Sequence, residues 1–119
     1  FLTGFVKDIN ELIPQFDYLL FTSKYEGFGT TILDFYLAKK PVITTLCGGN
    51  TEFSLHKNTA MVSEVGDFKD LANNFNLFLS NNLLREEIVE NAYNFVLNNY
   101  SISLLGEKTY TEYNNILNL

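Results

Sequence analysis

Between residues 22 and 34 the sequence reads Thr-Ser-Lys-Tyr-Glu-Gly-Phe-Gly-Thr-Thr-Ile-Leu-Asp, which places two acids and two glycines around the start of an apolar-periodic run. Gly27 and Gly29 bracket Phe28 and remove side chains where the chain turns into the next helix, so backbone N–H groups there can approach an anion closely. A diphosphate fits such a cradle. The helix dipole contributes only about 0.3–1 kcal/mol when exposed and up to ~2 kcal/mol when partly buried, so specific side chains must supply the rest of any affinity. Glu26 lies just before the turn, and Asp34 follows Thr30 by four residues, sharing its helical face one turn further in. Carboxylates only accept hydrogen bonds, which makes them poor neighbours for phosphate and good partners for sugar hydroxyls. The chemistry implied is recognition of hydroxyls flanking a phosphate. Taken alone, Glu26 to Gly29 also reads as an ordinary strand-to-helix turn and Asp34 as a solvated helix residue.

Other reactive side chains are sparse. Gly48-Gly49 reads either as a tight turn that starts a following helix or as a site loop, and Glu52 either as a capping residue or as a ligand group. His56 is a lone imidazole in a polar loop with no acid at ligand spacing, which favours a surface role. Cys47 has no nearby His or Asp to activate it and reads as a packed small thiol. No metal site is expected.

The elements that must position these residues follow from short apolar runs, each succeeded by a loop and a helical pattern, the signature of parallel strands joined by crossover helices. Phe1 to Val6 reads as a first strand and Asp8 to Ile13 as a short helix stopped by Pro14. Tyr18 to Thr22 reads as a second strand, its unbroken apolar run implying burial on both faces. From Thr30 to Lys40, Ile32, Leu33, Tyr36 and Leu37 fall on one helical stripe, with Lys39 and Lys40 in the last turn, where the dipole favours positive charge. Pro41 opens a third strand, Val42 to Thr44. Thr51 to Leu55 reads as a short helix and Ala60 to Val62 as a fourth strand. Asp67 is placed to cap a helix whose apolar face is Leu71, Phe75, Phe78 and Leu79. Leu84, Ile88, Val89, Ala92, Phe95 and Val96 make a second face. Ser101 or Ser103 caps a last helix with a weaker stripe of Leu105, Tyr113, Ile116 and Leu117. The sum is an α/β fold, a partial Rossmann-like parallel sheet of about four strands with helices on both faces and helices at the C-terminus.

Bulk properties narrow the function classes. With 119 residues and 46% hydrophobic content the chain supports one core. It opens at Phe1 without initiator Met or leader pattern, and is read as cut from something longer. No apolar stretch approaches the roughly 20 residues needed to cross a bilayer, since Tyr18 to Phe21 is bounded by Asp17 and Lys24. A net charge of −6 with only eight scattered Lys plus Arg residues gives no footprint for a phosphate backbone, so nucleic acid is not an expected partner. One free cysteine fits a reducing compartment, and the expected address is the cytoplasm, with peripheral attachment at the inner membrane face left open.

The glycine-and-acid segment resembles the donor loop of retaining, family-4-like glycosyltransferases with two Rossmann lobes (the GT-B fold), the glycosyl transferases group 1 that include glycogen and sucrose synthases. That loop typically reads Glu-Gly-Phe-Gly with a second Glu eight positions after the first; Glu26-Gly27-Phe28-Gly29 matches, and Asp34 holds the second acidic place. Phe1-Leu2-Thr3-Gly4-Phe5-Val6 resembles the family's strand before the nucleoside pocket, and Ala38-Lys39-Lys40-Pro41-Val42-Ile43 its helix-to-strand step. Gly48-Gly49-Asn50-Thr51-Glu52 resembles its glycine-glycine loop ending in Glu, and Gly66-Asp67 the opening of its late helix. Five such strings in order cover nearly the whole chain.

The resemblance implies that residues 1–100 form part of the nucleotide-sugar-binding C-terminal lobe and that residues 101–119 form a helix packing back on the N-terminal lobe. Glu26 would be the catalytic residue, binding hydroxyls of the transferred sugar. Asp34 would bind the ribose diol, the N–H groups of Phe28, Gly29 and Thr30 the diphosphate, and Val6 and Asp8 would border the base. Asp is one methylene shorter than Glu and reaches roughly 1.5 Å less, so a bridging water or a closer helix would be needed for the ribose. The implied reaction is hexosyl transfer from a nucleoside diphosphate sugar to an acceptor hydroxyl with retention, without cofactor or metal, in polysaccharide, lipopolysaccharide or glycan synthesis. The acceptor, a glycan or lipid, would be held by the other lobe. In the family an Arg and a Lys upstream of the donor loop stabilise the departing diphosphate; residues 1–119 lack them and are expected to be inactive alone, and an open sheet edge would invite self-association. A sugar-nucleotide epimerase of the same fold, and a non-catalytic lobe that binds nucleotide or stabilises a partner, are the alternatives.

Overall fold

Three short strands pair only in parallel in this computed structural model, which describes residues 2–117: β1 (Leu19–Phe21), β2 (Val42–Thr45) and β3 (Met61–Ser63), in the order β1-β2-β3. Leu19 lies opposite Val42 and Ile43 opposite Met61. Parallel neighbours need a crossover between them, and α2 (Thr30–Leu37) supplies the one from β1 to β2. A 3₁₀ turn, Gly48–Glu52, begins the connection from β2 to β3. The short α1 (Ile9–Leu12) precedes the sheet and runs into a 3₁₀ turn, Ile13–Gln15, where Pro14 is accepted in the first turn. After the sheet come α3 (Phe68–Ser80), α4 (Asn82–Asn99) and α5 (Ile102–Leu117).

Alternation along the strands divides the core in two. Val42 faces a cluster with Ile32, Tyr36, Phe53, Ala92 and Val96, from α2, the loop after β2 and α4. Ile43 faces Met61, Phe78 and Ile88 on the side covered by α3. Successive residues of a strand point to opposite faces, and helices therefore cover both. Asp67 caps α3 as expected, its Oδ1 accepting from Asp70 N–H at 2.9 Å, and Ser101 Oγ accepts from Leu104 N–H at 3.2 Å at the start of α5.

Several sequence expectations are corrected. Phe1 lies outside the described residues, and residues 2–6 form no strand: Leu2 and Phe5 are 97% and 94% exposed. An apolar run becomes a strand only where a neighbour completes its hydrogen bonds, and no such neighbour is present among the described residues. The sheet therefore has three strands rather than four. β1 is an edge strand; Leu19 and Phe21 pack on the core while Leu20 is exposed, so burial on both faces does not hold there. α2 stops at Leu37. Lys39 takes a left-handed conformation (φ 53°), and the N–H groups of Ala38, Lys39 and Lys40 bond back to Asp34, Tyr36 and Phe35, closing the helix before either lysine enters it. Phe35 is buried and Leu37 half-exposed, the reverse of the expected stripe. The helix expected at Thr51–Leu55 is the 3₁₀ turn begun at Gly48. On α3, Leu79 is exposed and Asn74 buried, its Nδ2 donating to Ser63 Oγ at 2.9 Å.

Candidate functional site

β1 delivers the chain to the glycine loop and α2 receives it. Gly29 is the residue before α2, in the left-handed region (φ 85°), and no side chain caps the helix. Its carbonyl accepts from Ile32 N–H at 3.0 Å. The N–H groups of Phe28, Gly29, Thr30 and Thr31 have no hydrogen-bond partner among the described residues, leaving the positive end of the helix with free donors. Glu26 is half-buried beside them, Oε1 accepting from Gly27 N–H at 3.2 Å. The Phe28 ring turns inward on the buried Phe53 and on Tyr100, with ring centroids 5.3 and 6.0 Å away.

The second glycine loop is packed against the first. Gly49 N–H donates to Gly27 O at 3.1 Å. A Cβ at Gly48 (φ 54°) would overlap the Glu26 carbonyl oxygen, and one at Gly49 would overlap Gly27 O and stand 2.8 Å from Phe28 Cα. Both glycines are therefore required by close backbone approach, and the pair is more than a local turn. Residues from β2 onward hold the arrangement. Thr45 Oγ1 and Cys47 Sγ both donate to Ser23 O, at 2.7 and 3.2 Å. Asn50, fully buried, accepts from Cys47 N–H with Oδ1 and donates to Thr45 O with Nδ2, each at 3.0 Å.

Glu26 and Glu52 belong to the two loops themselves, and Asp34 lies on the helix that follows the first. Burial pushes the Cys47 thiol up and the Glu26 carboxylate adds to it, so Cys47 stays protonated and the Glu26 charge lies within its range. Burial likewise raises Tyr100, and Glu52 contributes. Asp34, half-buried on α2 one turn past Thr30, is raised by burial alone. Glu52 is exposed at the end of the 3₁₀ turn, and its side chain caps nothing among the described residues. None of the three acids is ion-paired among the described residues. The arrangement offers unbonded amide donors for an anion and, in carboxylates with no ion-pair partner, acceptor capacity for hydroxyl groups.

Other expected site residues stand apart. Val6 and Asp8 line a shallow groove of about 330 Å³ with Lys7, Glu11, Leu12 and Gln15, which no glycine-loop residue lines. At the carboxyl ends of the strands, where open parallel sheets bind ligands, Thr22, Lys24, Thr45 and Gly66 to Phe68 line a crevice of about 200 Å³. His56 accepts from Val62 N–H through Nδ1 at 3.1 Å and holds a turn. Sequence reasoning missed Asn50, Thr45, Phe53 and Tyr100, which support the loops. Asn50 follows two glycines and looks like turn chemistry; only its burial distinguishes it. No group of residues able to hold a metal is found among the described residues.

Comparison with known proteins follows this geometry. Residues 1–95 match the sequence model of the family described as glycosyl transferases group 1. The chain is 29% identical over 112 residues to the capsular polysaccharide biosynthesis glycosyltransferase CapM of Staphylococcus aureus, covering 94% of this chain and 30% of CapM. It superposes on Anabaena HepE, solved in complex with UDP, with a TM-score of 0.86 at 24% identity, over 95% of this chain and 31% of HepE. It also superposes on the C-terminal domain of the group 1 glycosyl transferase LpcC of Francisella tularensis, with a TM-score of 0.73 at 28% identity, over 83% of this chain and 52% of that one. The chain thus spans under a third of CapM and of HepE.

Proposed function

This chain belongs to the glycosyl transferases group 1 family, and we propose that it forms part of the donor-binding lobe of a retaining glycosyltransferase moving a hexose from a nucleoside diphosphate sugar to an acceptor hydroxyl. The observation that carries this reading is the interlocked pair of glycine loops, which leaves the uncapped start of α2 open beside the half-buried Glu26. Amides at the start of α2 would receive the diphosphate, and the Glu26 carboxylate would accept hydrogen bonds from hydroxyls of the transferred sugar. Asp34 would reach the ribose diol. The departing diphosphate gains negative charge in the transition state, and preorganised donors at that oxygen lower the barrier without reorganising. No metal is assigned a role.

CapM is named for capsular polysaccharide biosynthesis, which supports a polysaccharide or related glycan as the product. HepE carries UDP on the same fold, which makes UDP a first nucleotide to try. Residues 101–119 would pack against the other lobe, which would hold the acceptor. The Arg and Lys that the resemblance places upstream of the donor loop to stabilise the departing diphosphate are not among residues 1–119, which alone are therefore expected to turn over no nucleotide sugar. Calorimetric titration of the full-length protein with UDP, GDP and ADP sugars tests the reading. Glu26→Ala should weaken the preferred donor at least about tenfold, the scale of losing one or two hydrogen bonds to a charged group, while Asp34→Glu should bind as well or better. Equal binding by Glu26→Ala and wild type, or steady turnover by residues 1–119, would refute the assignment.

A further inference from the structure

We infer that Asn50 is the positioning residue of this site, holding the start of α2 and the Gly27–Gly29 backbone in the geometry that receives a diphosphate; the inference rests on the donor reading above. Asn50 is completely buried, yet both ends of its amide are used. Oδ1 takes the Cys47 N–H and Nδ2 reaches the Thr45 carbonyl at the end of β2, each at 3.0 Å. Its own carbonyl accepts from Ser54 N–H at 2.8 Å. Its Cβ lies 3.5 Å from where a side chain of Gly29 would start, so it sits directly against the residue that precedes α2. The neighbouring Gly49 donates to Gly27 O, and Thr45 Oγ1 and Cys47 Sγ hold Ser23 at the other end of the same loop. One side chain thus ties the end of β2 to the second glycine loop, and its Cβ packs under Gly29 of the first.

A buried amide with both ends bonded fixes geometry, because removing it leaves unpaired polar groups that only a shift of the loop can satisfy. Truncation at Asn50 would leave the Cys47 amide without its partner, leave the Thr45 carbonyl with only the Thr44 hydroxyl, which donates to it at 3.1 Å, and open space under Gly29. The amides of Phe28 to Thr31 would then lose their common orientation. None of these amides is bonded to Asn50 itself, so any loss of ligand affinity would pass through the backbone.

The test uses the full-length protein and whichever of UDP, GDP or ADP binds the wild type, with the corresponding monophosphate as control. Asn50→Ala should weaken the diphosphate about tenfold and the monophosphate less than about twofold at a temperature where the variant is folded. Amide hydrogen exchange should accelerate in residues 27–31 of the nucleotide-free variant and stay unchanged in α3 and α4. Asn50→Asp keeps the volume and the bond from Cys47 N–H but sets an oxygen against the Thr45 carbonyl; it should show the same ratio, and it carries the test by the same criteria if Asn50→Ala does not fold. A variant that is folded and less stable but keeps the wild-type ratio of diphosphate to monophosphate affinity overturns the positioning role. Absence of any nucleotide binding by the wild type overturns instead the donor reading on which it stands.

Discussion

At the scale of single residues, the glycines of this chain carry different burdens although the sequence prints them alike. A Cβ at Gly48 or Gly49 would run into backbone atoms of Glu26, Gly27 and Phe28, and backbone cannot rotate away as a side chain can. Gly27 has open space and no positive φ. Gly48→Ala or Gly49→Ala should therefore cost on the order of 3 kcal/mol, overpacking with added left-handed strain at Gly48, whereas Gly27→Ala should stay within about 0.5 kcal/mol of wild type. Urea denaturation of the three variants checks the contrast, and equal costs would mean that the two loops are not interlocked. Asp34 offers a test of the opposite sign. Burial raises its pKa, so the folded protein holds its proton more tightly than the unfolded chain and loses stability as pH rises through its titration. Asp34→Asn should raise the melting temperature at neutral pH while weakening nucleotide binding in the full-length protein; lowered stability together with unchanged binding would remove Asp34 from the site.

Among the elements, α2 connects the site to the core. Its Tyr36 is almost fully buried, and its hydroxyl lies 3.5 Å from Thr59 Oγ1, which itself donates to the Phe53 carbonyl. Burial pushes the Tyr36 hydroxyl up to about 12 from an ordinary value of 10.0. A group with a raised folded pKa contributes its full stability below the unfolded value and loses it as pH climbs towards the folded one. Between pH 10 and 12 the protein should thus lose about 2 kcal/mol that Tyr36→Phe does not lose. Denaturation curves across that range decide; parallel losses in both proteins would show that Tyr36 is not the titrating group. The Lys39–Glu90 pair, 2.8 Å apart and solvent-exposed, joins the turn after α2 to α4 but adds no more than about 1 kcal/mol, so the clamp between these helices is their packed apolar side chains.

For the whole molecule, α5 is the outlying part. It has no buried residue, Tyr110 and Tyr113 are 69% and 62% exposed, and the chain extends 54 Å along its longest axis against 30 Å and 28 Å across. A helix that buries no residue keeps little beyond its intrinsic stability, which is marginal in water at 16 residues. Hydrogen exchange on residues 1–119 should therefore show the amides of Ile102–Leu117 exchanging far faster than those of α3 and α4. Equal protection would mean that α5 is covered in solution. In the order β1-β2-β3 both β1 and β3 have an unpaired edge among the described residues, the kind of edge that pairs with other chains.

The residues themselves determined what chemistry is present and where most elements lie. Glu26, Gly27, Phe28, Gly29 and Asp34 are local in sequence, and strand, turn and helix start are written in consecutive residues, so this strand-to-helix turn was legible as a candidate site before any fold. The Asp67 cap and the faces of α3 and α4 were legible for the same reason, since helical contacts span three or four residues. The tertiary structure alone decided matters that depend on distant partners. Residues 2–6 have a strand-like composition but find no neighbour to pair with. Leu20 lies outward because β1 is at an edge, and α2 closes early because the backbone turns at Lys39. Gly48 and Gly49 proved to be interface residues, and Asn50 proved to be packed under Gly29, because close approach is a property of pairs of segments that no single segment encodes; the hydrogen bonds of Asn50 to Cys47 and Thr45 are local.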